Sequence, residues 1–236
     1  MKFGLILACG GKGKRLKEDV DKAFVKVAQL PLFYYSYRVF EGQRNISKII
    51  IVARKKYFSL VKRYIKDERV IIKEGGSQRK VSVYNGLVSL DKDIDYVIIH
   101  DGARPFVDAR MVNRLMKLVV RFKAVIFGLR AKDALKIVRG GFVERTINRE
   151  NLYIIQTPQA FERNLLLKAY HRFEELFVWD DAQLIEFMGK PVKVIDGSIF
   201  NIKITYPEDL LLAKAILKSI SNRKQMTERE KYLSVF

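Results

Sequence analysis

The first residues with chemical promise lie close to the N-terminus. Ala8-Cys9-Gly10-Gly11-Lys12-Gly13-Lys14-Arg15-Leu16 is glycine-rich and basic, and Lys22 follows shortly after. Glycines let backbone N–H groups approach an anion closely, while arginine and lysine supply positive charge. Together they suit a phosphate cradle. Two standard phosphate loops do not fit. A Walker A loop requires Gly-x-x-x-x-Gly-Lys-Ser/Thr, yet Arg15 follows Gly13-Lys14 and Ala8 stands at the first glycine. A dinucleotide fingerprint begun at Gly11 would need a third glycine where Leu16 stands. What remains, Gly11-x-Gly13-x-Arg15 followed by Lys22, is on spacing alone equally compatible with a structural tight turn. With one cysteine and two histidines, the chain holds no Cys/His zinc set and no obvious Ser-His or Cys-His constellation.

A phosphate loop works only if something rigid presents it. Phe3 to Ala8 reads as a buried strand that ends at these glycines. Further β-branched runs follow at Lys48 to Ala53, Arg69 to Lys73, Asp95 to His100 and Ala124 to Leu129. Helical periodicity separates them: Pro31 to Phe40, Tyr57 to Ile65, Arg79 to Leu90 and Asp108 to Phe122. Continuous apolar strands alternating with helices predict an α/β, Rossmann-like fold, a mostly parallel sheet covered by helices on both faces. In such sheets ligands sit beyond the carboxyl ends of the strands, which is where the glycine loop falls. The alternation breaks once, at residues 131–148. Two strand-like pieces flank Arg139-Gly140-Gly141, predicting a projecting β-hairpin arm suited to dimerisation. Helices resume at Arg163 to Leu176, Asp181 to Met188 and Pro207 to Ile220. The expected organisation is one domain over 1–220 and a polar, loosely docked extension over 221–236.

Composition removes several function classes. Length 236 and a hydrophobic fraction of 49% describe a chain that buries its own core, not a disordered one. No apolar run reaches the roughly 20 residues a membrane span needs, and the opening apolar run is too short for a signal peptide. The expectation is a reduced, cytoplasmic protein. Forty-five Lys and Arg against 26 Asp and Glu give a net charge of +19. This points to anionic partners, although a small phosphate ligand needs only a few cations. A nucleic-acid-binding module is the competing class. It is disfavoured because the aromatic residues are spread through predicted core helices rather than gathered with basic residues.

Further segments carry a resemblance. Gly75-Gly76-Ser77-Gln78-Arg79-x-x-Ser82-Val83-x-x-Gly86-Leu87 is followed by His100-Asp101-Gly102-Ala103-Arg104-Pro105. Next come Thr146-x-x-Arg149, Thr157-Pro158-Gln159, Asp180-Asp181-Ala182 and Asn201-Ile202-Lys203-Ile204-Thr205-x-Pro207. With the first loop, these resemble nucleotidyltransferases of the nucleotide-sugar pyrophosphorylase type. More narrowly they resemble the 2-C-methyl-D-erythritol 4-phosphate cytidylyltransferase family, in that family's order and along nearly the whole chain. The resemblance implies a reaction of CTP with a polyol phosphate, releasing pyrophosphate, and Mg²⁺ as the accompanying cation. It implies Arg15, Lys22, Arg149 and Lys203 as the catalytic cations. Cys9, Gly10, Gly11, Gly13, Gly76, Ser77, Arg79, Ser82, Asp101 and Gly102 would form the nucleotide site. Arg104, Asp133, Thr157 and Thr205 would serve the second substrate. Asp101 would meet the metal indirectly through its hydration shell or orient the ribose. By the same resemblance Arg149, just beyond the hairpin, would reach into the partner subunit's site, making a homodimer with shared active sites.

Blander readings stand beside several of these. Ser82 and Arg79 also suit a helix surface, His100 a packed structural position, and Asp180 and Asp181 a helix cap. The chain also departs from the family. Asp21-Lys22-Ala23 stands where Pro-Lys-Gln is usual, Ala134 replaces a substrate-binding threonine, and Cys9, Gly10 and Gly102 replace alanines. A pentitol-phosphate cytidylyltransferase, acting on ribitol 5-phosphate, is the nearest alternative.

Overall fold

A computed structural model describes the chain except Lys12, Lys17, Asp19 and residues 234–236; of Lys14 and residues 222–233 only the backbone is described. In chain order the elements are β1 (Phe3–Ala8), β2 (Lys26–Val27), β3 (Leu30–Pro31), α1 (Leu32–Glu41), β4 (Ile46–Ala53) and α2 (Phe58–Tyr64). Then come β5 (Val70–Glu74), α3 (Arg79–Leu87), β6 (Tyr96–Asp101), α4 (Ala109–Phe122) and β7 (Ala124–Arg130). The hairpin strands β8 (Leu135–Arg139) and β9 (Phe142–Ile147) follow. The chain continues with β10 (Tyr153–Glu162), α5 (Arg163–Arg172), α6 (Ala182–Phe187), β11 (Lys193–Asp196) and α7 (Pro207–Leu233).

Seven strands form one sheet in the order β11-β7-β10-β6-β1-β4-β5. β1 pairs in parallel with both β4 and β6, and β4 with β5. β10 runs antiparallel between β6 and β7, so the sheet is mixed but mostly parallel. The central strands are apolar on both sides because both sides are covered. Leu5, Leu7, Ile49 and Ile51 pack with Phe33, Tyr37 and Phe40 of α1 and Leu115 and Val119 of α4. Ile6, Ile50 and Val52 pack the opposite way, with Val83 and Leu87 of α3, Leu166 of α5 and Ile185 of α6. Period-2 alternation sends neighbours to opposite faces, and each fully buried aliphatic side chain contributes about 1.5–3 kcal/mol. β1 is followed by β4 on one side and β6 on the other. The strand order therefore reverses at β1/β6, the place where such sheets leave a crevice at their carboxyl ends.

The expected helices and strands are all present, and apart from the last helix no end moves by more than about four residues. Asp108 caps α4, its Oδ1 accepting from the Met111 N–H at 2.8 Å. Pro31 precedes α1 rather than opening it. Four strands escaped sequence reading: the two-residue strands β2 and β3, and β10 and β11 of the main sheet. β10 contains Pro158 and a register shift between Gln156 and Gln159, so its pattern is broken where the ladder is broken. β11 is only four residues long. The C-terminal expectation is corrected: α7 does not stop at Ile220 but runs to Leu233. Residues 221–233 contain neither glycine nor proline and are rich in Lys, Arg, Glu and Gln, so nothing local ends the helix.

Candidate active site

The crevice at the β1/β6 switch holds a cavity of about 410 Å³. Four segments converge on it: the loop after β1 (Cys9, Gly10, Gly11, Lys22), the end of β4 (Arg54), the loop after β5 (Gly75 to Arg79), and the end of β6 (Asp101). Lys203 closes it from the segment before α7. Arg54, Gly75 and Gln78 were missed by sequence reasoning. The rule that ligands sit at strand carboxyl ends would have reached Arg54, which directly follows β4.

Asp101 is the hub. Its Oδ2 accepts from Lys203 Nζ at 2.7 Å and its Oδ1 from Arg79 Nε at 3.1 Å, while Arg104 Nε stands 3.9 Å from Oδ2. Burial works against the charged carboxylate, but Lys203, Arg79 and Arg104 outweigh it and hold its pKa well below the ordinary range. Arg79 is only partly exposed, with its guanidinium held by acidic partners. Its NH1 donates to Asp181 Oδ2 at 2.7 Å, and the Tyr170 hydroxyl donates to Asp181 Oδ1 at 2.6 Å. Asp181 therefore secures Arg79 from behind instead of capping α6, and no sequence signal marks that role. Asp180 does cap, accepting from the Gln183 N–H at 3.1 Å.

Lys22 and Thr205 lie beside this hub. Lys22 Nζ donates to Thr205 Oγ1 at 3.3 Å, and the Thr205 hydroxyl donates to the Lys203 carbonyl at 3.1 Å. Burial, then the charges of Lys203 and Arg15, bring the Lys22 pKa down to about 8. The loop closes on itself here: the Lys22 N–H donates to the Gly11 carbonyl at 3.1 Å. Gly13 has φ +65°, and a Cβ there would stand 3.1 Å from the Lys22 backbone nitrogen. Glycine is thus required both by conformation and by the close approach of Lys22. Arg15 lies outside the cavity lining, exposed, with NH1 donating to the Tyr206 hydroxyl at 3.2 Å and its guanidinium 5.4 Å from that ring.

The family comparison agrees with the geometry. A family model described as "IspD: 2-C-methyl-D-erythritol 4-phosphate cytidylyltransferase" matches residues 3–219. The 2-C-methyl-D-erythritol 4-phosphate cytidylyltransferase of Geobacillus thermodenitrificans is 40% identical over 225 residues, covering 93% of this chain and 98% of that protein. That of Clostridioides difficile is 37% identical over 237 residues, covering 98% and 100%. The crystal structure of 4-diphosphocytidyl-2C-methyl-D-erythritol synthase from Anaerococcus prevotii superposes with a TM-score of 0.82 at 32% identity, covering 92% and 96%. The chain belongs to the IspD family. It is a nucleotidyltransferase with a Rossmann-like fold.

Within this IspD-family site, several residues expected to contact ligands make bonds within the chain. Thr157 is buried, and both sides of its hydroxyl are engaged: Oγ1 accepts from the Asp101 N–H at 3.0 Å and donates to His100 Nδ1 at 3.1 Å. His100 Nε2–H then donates to the Arg104 carbonyl at 3.0 Å. Burial brings the His100 pKa down to about 4, leaving a neutral imidazole that supports Asp101 from below. Here the Thr157 hydroxyl supports the end of β6 that carries Asp101. Arg104 likewise bonds within the chain, its NH1 donating to the Asn201 carbonyl at 2.9 Å. Buried Asn201 also donates to the Thr157 carbonyl at 2.8 Å. These bonds deliver the segment that carries Lys203. Ser82 is buried, accepting from the Gly76 N–H at 3.0 Å and donating to the Gln78 carbonyl at 3.0 Å. It shapes the Gly75–Gln78 loop, with Ser77 at the rim of the cavity. Asp133 and Arg149 are exposed near the hairpin and line no part of this chain's own cavity; the Arg149 guanidinium donates to the Lys132 carbonyl.

The alanine replacements at positions 9 and 102 are coupled by volume. A Cβ on Gly102 would lie 2.5 Å from Cys9 Sγ, and Cys9 is buried. Cysteine at position 9 and alanine at position 102 exclude one another in this packing. Gly102→Ala is expected to cost about 1–3 kcal/mol through overpacking, and the double change with Cys9→Ala to recover most of it. Urea midpoints of the two single variants and the double variant check this; strictly additive losses would contradict it.

Proposed function

We propose that this chain transfers the cytidylyl group of CTP to 2-C-methyl-D-erythritol 4-phosphate, releasing pyrophosphate. The observation that carries the reading is the convergence of Lys203 and Arg79 on one buried carboxylate, Asp101, in a cavity that Lys22 and the glycine loop after β1 also line. The attacking group is a phosphomonoester whose second pKa near ~6 leaves it mostly dianionic at neutral pH. No general base is required, which accords with a buried, neutral His100. The barrier is electrostatic, since two anions must meet and charge gathers on the departing pyrophosphate.

An oxygen of the methylerythritol phosphate forms a bond to the α-phosphorus as the bond from that phosphorus to the bridging oxygen breaks. Lys22 acts as a point charge on the α-phosphate. Arg15 swings from Tyr206 to the triphosphate, where its fork matches two oxygens. Backbone groups of Cys9, Gly10, Gly11, Gly76 and Ser77 read the small cytosine edge, with Gly102 leaving room. Lys203 and Thr205 hold the incoming phosphate, and Arg79 keeps Asp101 in register. Arg149 and Asp133 reach the neighbouring cavity of a homodimer. This reading draws support from a hairpin that leaves Val138, Phe142 and Val143 exposed.

Mg²⁺ enters this reading with the triphosphate. Asp101 is the single carboxylate lining the cavity among the described residues, and both its oxygens already accept from cations. No group of three metal-ligating side chains occurs among the described residues. A hydrated ion held chiefly by phosphates fits that donor set, with Asp101 accepting from its water shell. The cation would supply charge neutralisation on the phosphates. Among the described residues no helix is long and apolar enough to cross a membrane, and a cytoplasmic setting suits the buried free thiol of Cys9.

The deciding assay measures pyrophosphate release with CTP and Mg²⁺, offering methylerythritol 4-phosphate and ribitol 5-phosphate in parallel. Turnover with the first and not the second is expected. Preference for the pentitol phosphate, or no turnover with either, would overturn the reading.

A further inference from the structure

We infer that Asp21 and Arg54 form a positioning pair that sets Lys22 in place for the reaction, an inference that rests on the function proposed above. Asp21 immediately precedes Lys22 and its side chain is fully buried. Arg54 Nε donates to Asp21 Oδ2 at 2.6 Å, and a second guanidinium nitrogen pairs with the other carboxylate oxygen. The Asp21 N–H donates to the Tyr57 hydroxyl at 2.6 Å. On the other side of Lys22, Phe24 stacks on Tyr57 with ring centroids 3.8 Å apart and planes 5° from parallel. Both flanks of Lys22 are thus tied to one place, the carboxyl end of β4 and the turn after it.

That place is rigid. Ile49 to Ala53 of β4 are completely buried between β1 and β5. The loop carrying Lys22 is otherwise glycine-rich, and a tether to β4 removes freedom such a loop would have by itself. The backbone at Asp21 has φ −64° and ψ 142°, an extended conformation whose φ is the one a proline ring fixes. Where the family usually carries proline before this lysine, the present chain reaches the same conformation through an ion pair. A carboxylate is costly to bury unless paired, and Arg54 is its one ion-pair partner among the described residues. Arg54 itself remains partly exposed at the cavity wall, so the pair is reachable by substitution without emptying the core.

A merely structural pair would stabilise the fold and leave the titration of Lys22 alone. A positioning pair would not. Lys22 is faced by Lys203 and Arg15, which favour its neutral form, by Asp101 and Asp209, which favour the charged form, and by the Thr205 hydroxyl. Released from its half-buried position, Lys22 regains water and titrates higher.

The experiment is a double-mutant cycle on the full chain, with kcat and KM measured from pH 6 to 10 for Asp21→Asn, Arg54→Gln, the double variant and Lys22→Ala. Each single variant is expected to lower kcat on the order of tenfold to a hundredfold, the scale for misplacing a catalytic group by about an ångström. KM for methylerythritol 4-phosphate should change little, and the alkaline fall of activity should move upward from its native position. The double variant should be no worse than the poorer single one, because the two residues act as a unit. If Asp21→Asn fails to fold, Arg54→Lys keeps the charge, loses the fork and should still move the alkaline limb. Variants at 21 and 54 that retain native kcat and an unmoved limb, beside an inactive Lys22→Ala, would overturn the inference while leaving the function intact. Losses that multiply in the double variant would also overturn it, since Arg54 would then act by itself. Native turnover in Lys22→Ala would instead sink the functional reading, and this inference with it.

Discussion

Replacing Lys22 with alanine should lower kcat by about a hundredfold or more, the usual consequence of losing one preorganised charge from a transition state. The ammonium is half-buried between Lys203 and Arg15, and its Nζ already lies 3.3 Å from Thr205, beside the cavity. No other described cation occupies that spot: Arg79 is committed to Asp101 and Asp181, and Arg54 to Asp21. The pH dependence gives the expectation a second edge. Because the pKa of Lys22 is down at about 8, the free enzyme loses this charge progressively above that pH. Native kcat/KM for CTP should therefore fall with rising pH above about 8, where an ordinary lysine would keep its charge for two further units. In Lys22→Ala the residual activity should be flat across that range. Pyrophosphate release measured from pH 6 to 10 checks both points, and an alkaline limb that persists in the alanine variant would assign the titration to another group.

Asp101→Asn should be the most damaging conservative change for stability. The substitution keeps the shape but removes the charge around which Lys203, Arg79 and Arg104 gather. Three cations would then face one another over a buried amide. Breaking a buried ion pair by deleting one partner costs about 3–5 kcal/mol, and a shared carboxylate belongs at the upper end of that range. Activity should fall with it, because Lys203 and Arg79 lose their common reference point. Equilibrium urea unfolding of both proteins at pH 7 checks the stability term; a loss below about 1 kcal/mol would mean the cations find other partners. Acid should reproduce part of the effect in the native protein. The folded-state pKa of Asp101 is depressed, so its stabilisation is fully present above the unfolded-state value near 4 and is lost as pH falls below it. The Asp101→Asn protein should lack that component of acid sensitivity.

Much of the architecture was legible because it is written in local patterns. Leu5 to Leu7 and Ile49 to Val52 are apolar on both faces, and only a strand covered on both sides tolerates that. The Gly140-Gly141 turn between β8 and β9 announced the hairpin in the same way. The cradle after β1 and the positions of Lys22, Asp101 and Lys203 followed from motif order. Where reading failed, a non-local contact had overruled the local signal. β10 carries a proline at a register shift, and its place at the centre of the sheet comes from β6 and β7 rather than from its own alternation.

What the amino-acid order determines by itself is thus the periodicity of the elements, the glycine loop at the end of the first strand and the stock of cations available for phosphate chemistry. Partnership is different. That Thr157 holds the Asp101 backbone, that Asp181 holds Arg79 instead of capping a helix, and that Asp21 is buried against Arg54 could be decided only in three dimensions. Residues 33 to 102 positions apart meet in these bonds. Side-chain charge and hydrogen-bonding capacity are fixed by residue type, but which groups satisfy one another depends on which strands the sheet places side by side.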